Sequence, residues 1–288
     1  MIIIRKFKIV SFFCILCLII GAVCCVMFTT IKNNVSYVYN KKNKDLKIIG
    51  IIPYYAIDGK TEEEQKFNNF NKLRDRYVDS FKKVCKNIAF IILPVQGDRD
   101  EKTLSIVDGI IISGGIDIDA KYFNQKLSDK VKDVEPERRT NFTIQAVEHA
   151  MKNNKPLLGV CNGMQILNIV NGGDVIQDIP SEVPNSEIHR GESVFKTHHD
   201  VKINKKTWLY NVLKKNKMNV NSNHHQAIGK IGKNLRVSAV ANDGIVEAIE
   251  CVNCKKPIIG IQWHPEFLMT KNDEKIVKAF CDSVEEDI

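Results

Sequence analysis

The chain has 288 residues, 44% of them hydrophobic and 26% charged, an ordinary globular composition with enough length for one sizeable core. Its formal net charge of +8 is concentrated at one end. Residues 1–47 hold eight basic residues (Arg5, Lys6, Lys8, Lys32, Lys41, Lys42, Lys44 and Lys47) against Asp45 alone, while the other 241 residues carry 34 basic and 33 acidic groups. A nearly neutral body carries no electrostatic footprint for nucleic acid, which excludes that class of partner.

The first feature in chain order is Ile9 to Phe28, twenty residues without a charge. At about 1.5 Å per residue such a helix spans roughly the 30 Å of a bilayer's hydrocarbon. Residues 1–31 are therefore predicted to be an uncleaved single-pass membrane anchor. The alternatives are a signal peptide cut after Cys24, where Ala22-Val23-Cys24 offers small residues, and a buried core helix, which an all-apolar run at a chain end does not favour. Basic residues flank the run on both sides, so the side of the membrane is not readable. The sequons Asn34-Val35-Ser36 and Asn141-Phe142-Thr143 would matter only in a lumenal or extracellular protein. Residues 32–46, rich in Lys, Asn and Tyr with no apolar period, read as a tether, and residues 47–288 as one domain.

In the body, Ile48 to Ile52, Ile88 to Leu93, Gly109 to Ile112 and Pro156 to Val160 read as buried strands. Thr61 with Glu64 predicts a capping box for a helix running towards Lys86, and Pro136 opens another helix reaching Asn153. Strand and helix in alternation predict an α/β fold, a mainly parallel sheet covered by helices. Later runs at Val201 to Ile203, Leu235 to Ala241, Ile245 to Glu250 and Pro257 to Gln262 read as strands joined by turns, with His198 and His199 leading into the first. Of the nine cysteines, Cys14, Cys17, Cys24 and Cys25 lie in the apolar run. Cys85, Cys161, Cys251, Cys254 and Cys281 remain in the body, an odd number that leaves at least one unpaired and does not suit a small disulfide scaffold.

The chemistry centres on Lys155-Pro-Leu-Leu-Gly159-Val-Cys161-Asn-Gly163-Met-Gln165, an apolar strand that runs into a helical pattern through Gly-x-Cys-x-Gly. This is the cysteine form of a nucleophile elbow, in which a sharp strand-to-helix turn exposes the reactive atom beside a helix N-terminus. The helix start favours a thiolate and supplies N–H groups for an oxyanion. A buried structural cysteine is the competing reading. A second apolar strand, Ile258 to Gln262, ends in Trp263-His264-Pro265-Glu266. His264 at a strand end with Glu266 two residues on follows the order in which a cysteine attacks, a histidine moves the proton and a carboxylate holds the histidine. Alone, His-Pro-Glu would read as a surface turn.

Taken together, these motifs resemble those of class I glutamine amidotransferase domains, and within them the γ-glutamyl-γ-aminobutyrate hydrolase (peptidase C26) family. The resemblance is carried by Ile48-Ile-Gly-Ile-Ile, Asp108-Gly-Ile-Ile-Ile-Ser113-Gly114-Gly115-Ile-Asp117-Ile-Asp119 and Gly159-Val-Cys161-Asn-Gly163-Met-Gln165. Further on come Gly172-Gly173 with Gln177-Asp178-Ile179, Asn221-Ser-Asn-His224-His225-Gln226, Asp243-Gly244 with Val246-Glu-Ala-Ile-Glu250, and Gln262-Trp-His264-Pro-Glu266. It implies a flavodoxin-like core with Cys161, His264 and Glu266 as catalytic triad. The implied oxyanion donors are Gly115 or Gly114 together with Asn162, and the implied substrate contacts are Gln165, His224, His225 and Gln226.

Without the resemblance, Gly114-Gly115 would be an ordinary loop and Gln165 a helix-surface residue. His224-His225 lacks a third metal ligand at suitable spacing, and Cys251-x-x-Cys254 reads as a turn rather than a zinc or redox motif. The chain departs from the family pattern at Asn162, where many relatives carry Arg, at Arg139, where Asp often follows the Glu-Arg pair, and at Lys86-Asn87, where Gly-Gly is usual.

The expectation is a membrane-tethered, cysteine-dependent hydrolase of small γ-glutamyl amides that needs no metal or other cofactor and forms a γ-glutamyl thioester. Two alternatives are the glutaminase subunit of an amidotransferase and a catalytically silent tethered binding module. A homo-oligomer is left open.

Overall fold

In a computed structural model, residues 46–57, 69–73, 75–95 and 100–286 are described. The expected anchor and most of the tether lie outside these residues. Among the described residues no helix is long and apolar enough to cross a membrane.

Thirteen strands and seven α-helices are described between Lys47 and Glu285. One half of the main sheet is parallel. Its strands are β1 (Lys47–Ile52), β4 (Ile88–Ile92), β5 (Gly109–Ile112), β6 (Leu157–Val160) and β13 (Ile258–Ile261), ordered β4-β1-β5-β6-β13. These are the near-continuous apolar runs of the sequence, as expected for strands buried on both faces.

Alternate side chains sort onto the two faces. Ile49 and Ile51 of β1 join Phe81 from α1 (Asp75–Val84) and Phe280 from α7 (Lys271–Glu285) in one cluster of buried residues. Ile52, Ile110, Ile112 and Leu157 join a second cluster with Leu104 from α2 (Asp100–Ser105), Phe142 and Ala146 from α3 (Glu137–Asn153), and Met164 and Leu167 from α4 (Asn162–Val170). The expected α/β sandwich follows.

Beyond β13 the sheet continues antiparallel. Strands β12 (Val246–Cys251), β11 (Leu235–Ala241), β8 (His198–Ile203) and β9 (Lys217–Asn221) follow in that order. Two short strands, β7 (Val175–Ile176) and β10 (Ala227–Ile228), pair beside β12. Two further helices, α5 (Ile179–Glu182) and α6 (Trp208–Leu213), complete the count.

The helix expected from Thr61 to Lys86 needs correction. Asn69–Lys72 is a strand, β3, paired antiparallel with β2 (Tyr54–Ile57), and the helix begins only at Asp75. The capping-box residues Thr61 and Glu64 lie outside the described residues. Pro136 does precede a helix, Glu137–Asn153, which ends on Asn154 in the left-handed conformation that asparagine tolerates. Asn87, one of the departures from the family pattern, has φ 40° and so takes a conformation that glycine would otherwise supply.

The body cysteines form two disulfides, Cys85–Cys281 and Cys251–Cys254, and leave Cys161 free. Cys251 and Cys254 therefore hold a turn together, where the sequence suggested only incidental cysteines.

Candidate active site

Cys161 sits where β6 turns into α4, with φ 52° and ψ −107°, a strained conformation for a residue with a side chain. The crowding explains the flanking glycines. A Cβ on Gly159 would lie 2.6 Å from the carbonyl oxygen of Gly163. The Cys161 N–H donates to Ile261 O at 2.8 Å, continuing the β6–β13 ladder in which Val160 pairs with Ile261. The same ladder brings His264 alongside the sulfur, and a side chain placed on Gly114 would meet both the His264 ring and the Cys161 Cβ.

His264 Nδ1 lies 2.8 Å from Glu266 Oε1. The Asn221 amide brackets the His264 backbone, accepting from its N–H at 2.9 Å and donating to its carbonyl at 3.0 Å. Nε2 has no hydrogen-bond partner among the described residues. Burial alone would lower the His264 pKa, but the Glu266 carboxylate and the Cys161 sulfur outweigh it and raise it to about 10. The ring is thus held as an imidazolium near neutral pH, a charge that favours a thiolate opposite it.

The glycine turn presents backbone N–H groups near Cys161. Gly114 N–H is already taken by the Tyr77 hydroxyl at 3.1 Å, whereas Gly115 N–H and Asn162 N–H have no acceptor among the described residues. Of the two glycines considered, Gly115 is the one free to donate. Tyr77 had no motif to announce it. It is fully buried, and burial followed by the nearby Glu266 carboxylate raises its pKa well above the ordinary tyrosine value, so it stays a neutral phenol between the glycine turn and Glu266.

Behind this turn, two of the departures from the family pattern, Arg139 and Asn162, meet. The Arg139 guanidinium donates to Asn162 Oδ1 at 2.5 Å and to Ser113 O at 3.0 Å, and lies 3.7 Å from Glu135 Oε1. Asn162 in turn donates to Ile116 O at 2.7 Å. One buried cation therefore ties together the glycine turn and the start of α4, the two segments with free N–H groups near Cys161. Gly115 must lack a side chain here because a Cβ would strike the Glu135 carboxylate. Burial raises the Glu135 pKa, partly offset by Arg139 and by the Ile116 N–H.

Two cavities meet at Cys161. The larger, about 570 Å³, is lined on one side by Asn162, Gln165 and His225, and by charges of both signs, including Asp117, Lys132 and Arg190. The smaller, about 190 Å³, reaches from Cys161 past His264 and Glu266 to Tyr77 and Tyr54. Gly115, Ile116, Cys161 and Asn223 border both.

All four expected substrate contacts border the larger cavity, but their polar atoms are unequally free. Gln165 Nε2 donates to Gln226 O at 3.2 Å and to Gln262 Oε1 at 3.1 Å, leaving its carbonyl oxygen as the remaining polar atom. His225 bridges Asp117 at 2.9 Å and Asp178 at 3.1 Å. The Asp117 contact leads the causes that raise its pKa, burial opposes it and Asp178 adds to it. Gln226 Oε1 accepts from Ile118 N–H at 3.3 Å. His224 turns both ring nitrogens into the protein, Nδ1 to Gln226 O at 2.9 Å and Nε2 towards His189 and Glu247. Lys132 and Arg190 were not found by sequence reasoning, because they lie on irregular segments without a period to place them, and Asp117 appeared there only as part of a motif with no role given to it.

This architecture is that of the class I glutamine amidotransferases. The glutaminase domain of Trypanosoma brucei CTPS, solved with bound acivicin, aligns with a TM-score of 0.57 at 18% identity over 84% of this chain and 95% of that one. A glutamine amidotransferase from Thermotoga maritima aligns with a TM-score of 0.51 at 16% identity over 83% and 96%. Residues 47–266 match the peptidase C26 family, and the chain belongs to that family. Among its relatives, the glutamine amidotransferase-like protein YvdE of Lactococcus lactis is 34% identical over 244 residues, covering 82% of this chain and 98% of YvdE. The γ-glutamyl-γ-aminobutyrate hydrolase PuuD of Escherichia coli is 28% identical over 175 residues, covering 58% of this chain and 67% of PuuD.

Two outcomes are expected from these contacts. With its pKa raised to about 10, the His264 ring should stay protonated between about pH 6 and 8.5, and an NMR titration of the histidine ring signals should show no transition for it there. In Glu266→Gln the main support of the imidazolium is gone and the ring should titrate at lower pH; a transition of His264 within that window in the unaltered protein would contradict the charged ring. The second outcome concerns the buried cation. Arg139→Asp and Asn162→Arg should each cost about 3 kcal/mol of unfolding free energy, one by stranding Glu135 and the other by crowding two guanidiniums. The double substitution should recover most of that loss in a denaturant titration, and simple additivity would show that the two sites are not coupled.

Proposed function

We propose that the chain is a cysteine-dependent hydrolase of γ-glutamyl amides. The observation that carries the reading is the position of Cys161 between two cavities of different character, with His264 bordering only the smaller one. A γ-glutamyl group is a zwitterion, and the larger cavity offers acidic and basic side chains for its α-ammonium and α-carboxylate. The smaller cavity, at about 190 Å³, has room for a leaving amine well beyond ammonia, which is comparable to a water molecule of about 30 Å³.

In this reading the Cys161 thiolate attacks the γ-carbonyl, and the developing oxyanion takes hydrogen bonds from Gly115 and Asn162 N–H. His264 gives its proton to the departing amine as the C–N bond breaks, leaving a γ-glutamyl thioester. A water molecule then loses a proton to His264, adds to the thioester and releases glutamate with the thiolate restored. Glu266 holds the ring and stabilises its charged form. The uncharged run Ile9–Phe28 supports a membrane-tethered form of the enzyme.

The full chain should be assayed without added protein against glutamine, γ-glutamyl-γ-aminobutyrate and short γ-glutamyl peptides. A γ-glutamyl amide should be cleaved faster than glutamine, and Cys161→Ala should lower that rate by at least about a thousandfold. Cleavage of glutamine alone, accelerated by a synthetase partner, would mean a glutaminase subunit. Binding without turnover of any of these compounds would mean a silent module.

A further inference from the structure

A second cluster of chemistry-bearing side chains lies behind the substrate loop. We propose that His189, His199 and Glu247, with His224 beside them, form a buried site for one divalent transition-metal ion of the zinc type. The four residues come from separate segments: the loop after α5, strand β8, strand β12 and the loop after β9. All are nearly or fully inaccessible to solvent, Glu247 completely so.

Ligand atoms of His189, His199 and Glu247 all lie within 4.8 Å of one another. Glu247 Oε1 lies 3.2 Å from His189 Nδ1, 3.0 Å from His199 Nε2 and 3.4 Å from His224 Nε2, and His189 Nδ1 lies 3.3 Å from His224 Nε2. A tetrahedral zinc with metal–nitrogen bonds near 2.0–2.1 Å separates its ligand atoms by about 3.3 Å. Neither oxygen of Glu247 and neither nitrogen of His199 has a hydrogen-bond partner among the described residues. These atoms converge at short range without the alignment of hydrogen bonds, an expensive arrangement for buried polar groups unless something else satisfies them.

The outer contacts point the same way. His189 Nε2 lies 2.8 Å from Asp243 Oδ2, and His224 Nδ1 lies 2.9 Å from Gln226 O. Each contact can take the ring N–H of a neutral imidazole, which would leave the inward nitrogen free to bind a metal ion. A carboxylate or carbonyl behind each ligating histidine is the usual outer shell of a metal-bound imidazole.

Two imidazoles and one carboxylate would hold the ion, with His224 the neighbouring side chain at its remaining position, and burial makes the site structural. It would pin the end of β9 at Asn221, which brackets the His264 backbone, and the loop after it with His225 and Gln226, which border the substrate cavity. The sequence concealed the site because the other ligands lie far along the chain from His224.

The test uses the full chain purified with zinc supplied and then dialysed against metal-free buffer. Elemental analysis should give about one zinc per chain, both in the unaltered protein and in Cys161→Ala. Cobalt substitution should produce the strong visible bands of a tetrahedral site, and removal of metal by a chelator should lower the thermal midpoint until zinc is restored. His199→Asn and Glu247→Gln should lose the stoichiometric metal; if they do not fold, the cobalt spectrum of the unaltered chain decides. Zinc lost in Cys161→Ala, or kept in the folded His199 and Glu247 variants, would place the ion elsewhere and overturn the proposal. A zinc content well below one per chain with no chelator effect would mean a hydrogen-bonded His–Glu cluster only.

Discussion

The active site depends on the parallel pairing of β6 with β13. Val160 pairs with Ile261, and the ladder extends one step further through the Cys161 N–H to Ile261 O hydrogen bond of 2.8 Å. Because two adjacent parallel strands end at the same edge of the sheet, Cys161 just past one and His264 just past the other meet without any long-range adjustment. A slip of one residue would turn Cys161 or His264 to the wrong face. The glycines at the elbow and the Asn221 clamp on the His264 backbone refine a placement that the sheet has already made.

Around that pair, charge is buried in a graded way. His264 is held charged by Glu266 and faces the sulfur. Tyr77 stands between Glu266 and Gly114 as a neutral phenol, linking the histidine's carboxylate to the glycine turn. Arg139 sits one layer further back, braced by Glu135 and reaching Ser113 and Asn162. At that layer lie two of the positions where the sequence departs from the family pattern, with the arginine on α3 and a neutral acceptor, Asn162, next to Cys161.

Legibility followed the range of the interactions. The parallel strands and the Gly-x-Cys-x-Gly elbow were readable because each is a local pattern of apolar runs and small residues. His264 and Glu266 were placed by a strand end and a two-residue spacing. Asn69–Lys72 was misread as helix because its strand character comes from pairing with Tyr54–Ile57, a contact that local propensity does not encode. Tyr77 gave no signal, since its role arises from which way α1 faces across the sheet. The convergence of His189, His199 and Glu247 on His224 was equally invisible, because the antiparallel half of the sheet brings those segments together. For the same reason Gly115 could be preferred to Gly114 as a donor only once Tyr77 was in place.

The central claim is that Cys161 carries the acyl group during turnover. Mass spectrometry of the full chain, acid-quenched while it turns over a γ-glutamyl amide, tests this most directly. The account predicts a mass increase of one γ-glutamyl group on the peptide containing Cys161, removed by a thiol nucleophile as a thioester should be. Turnover with no adduct at Cys161, or with the adduct on another residue, would contradict it.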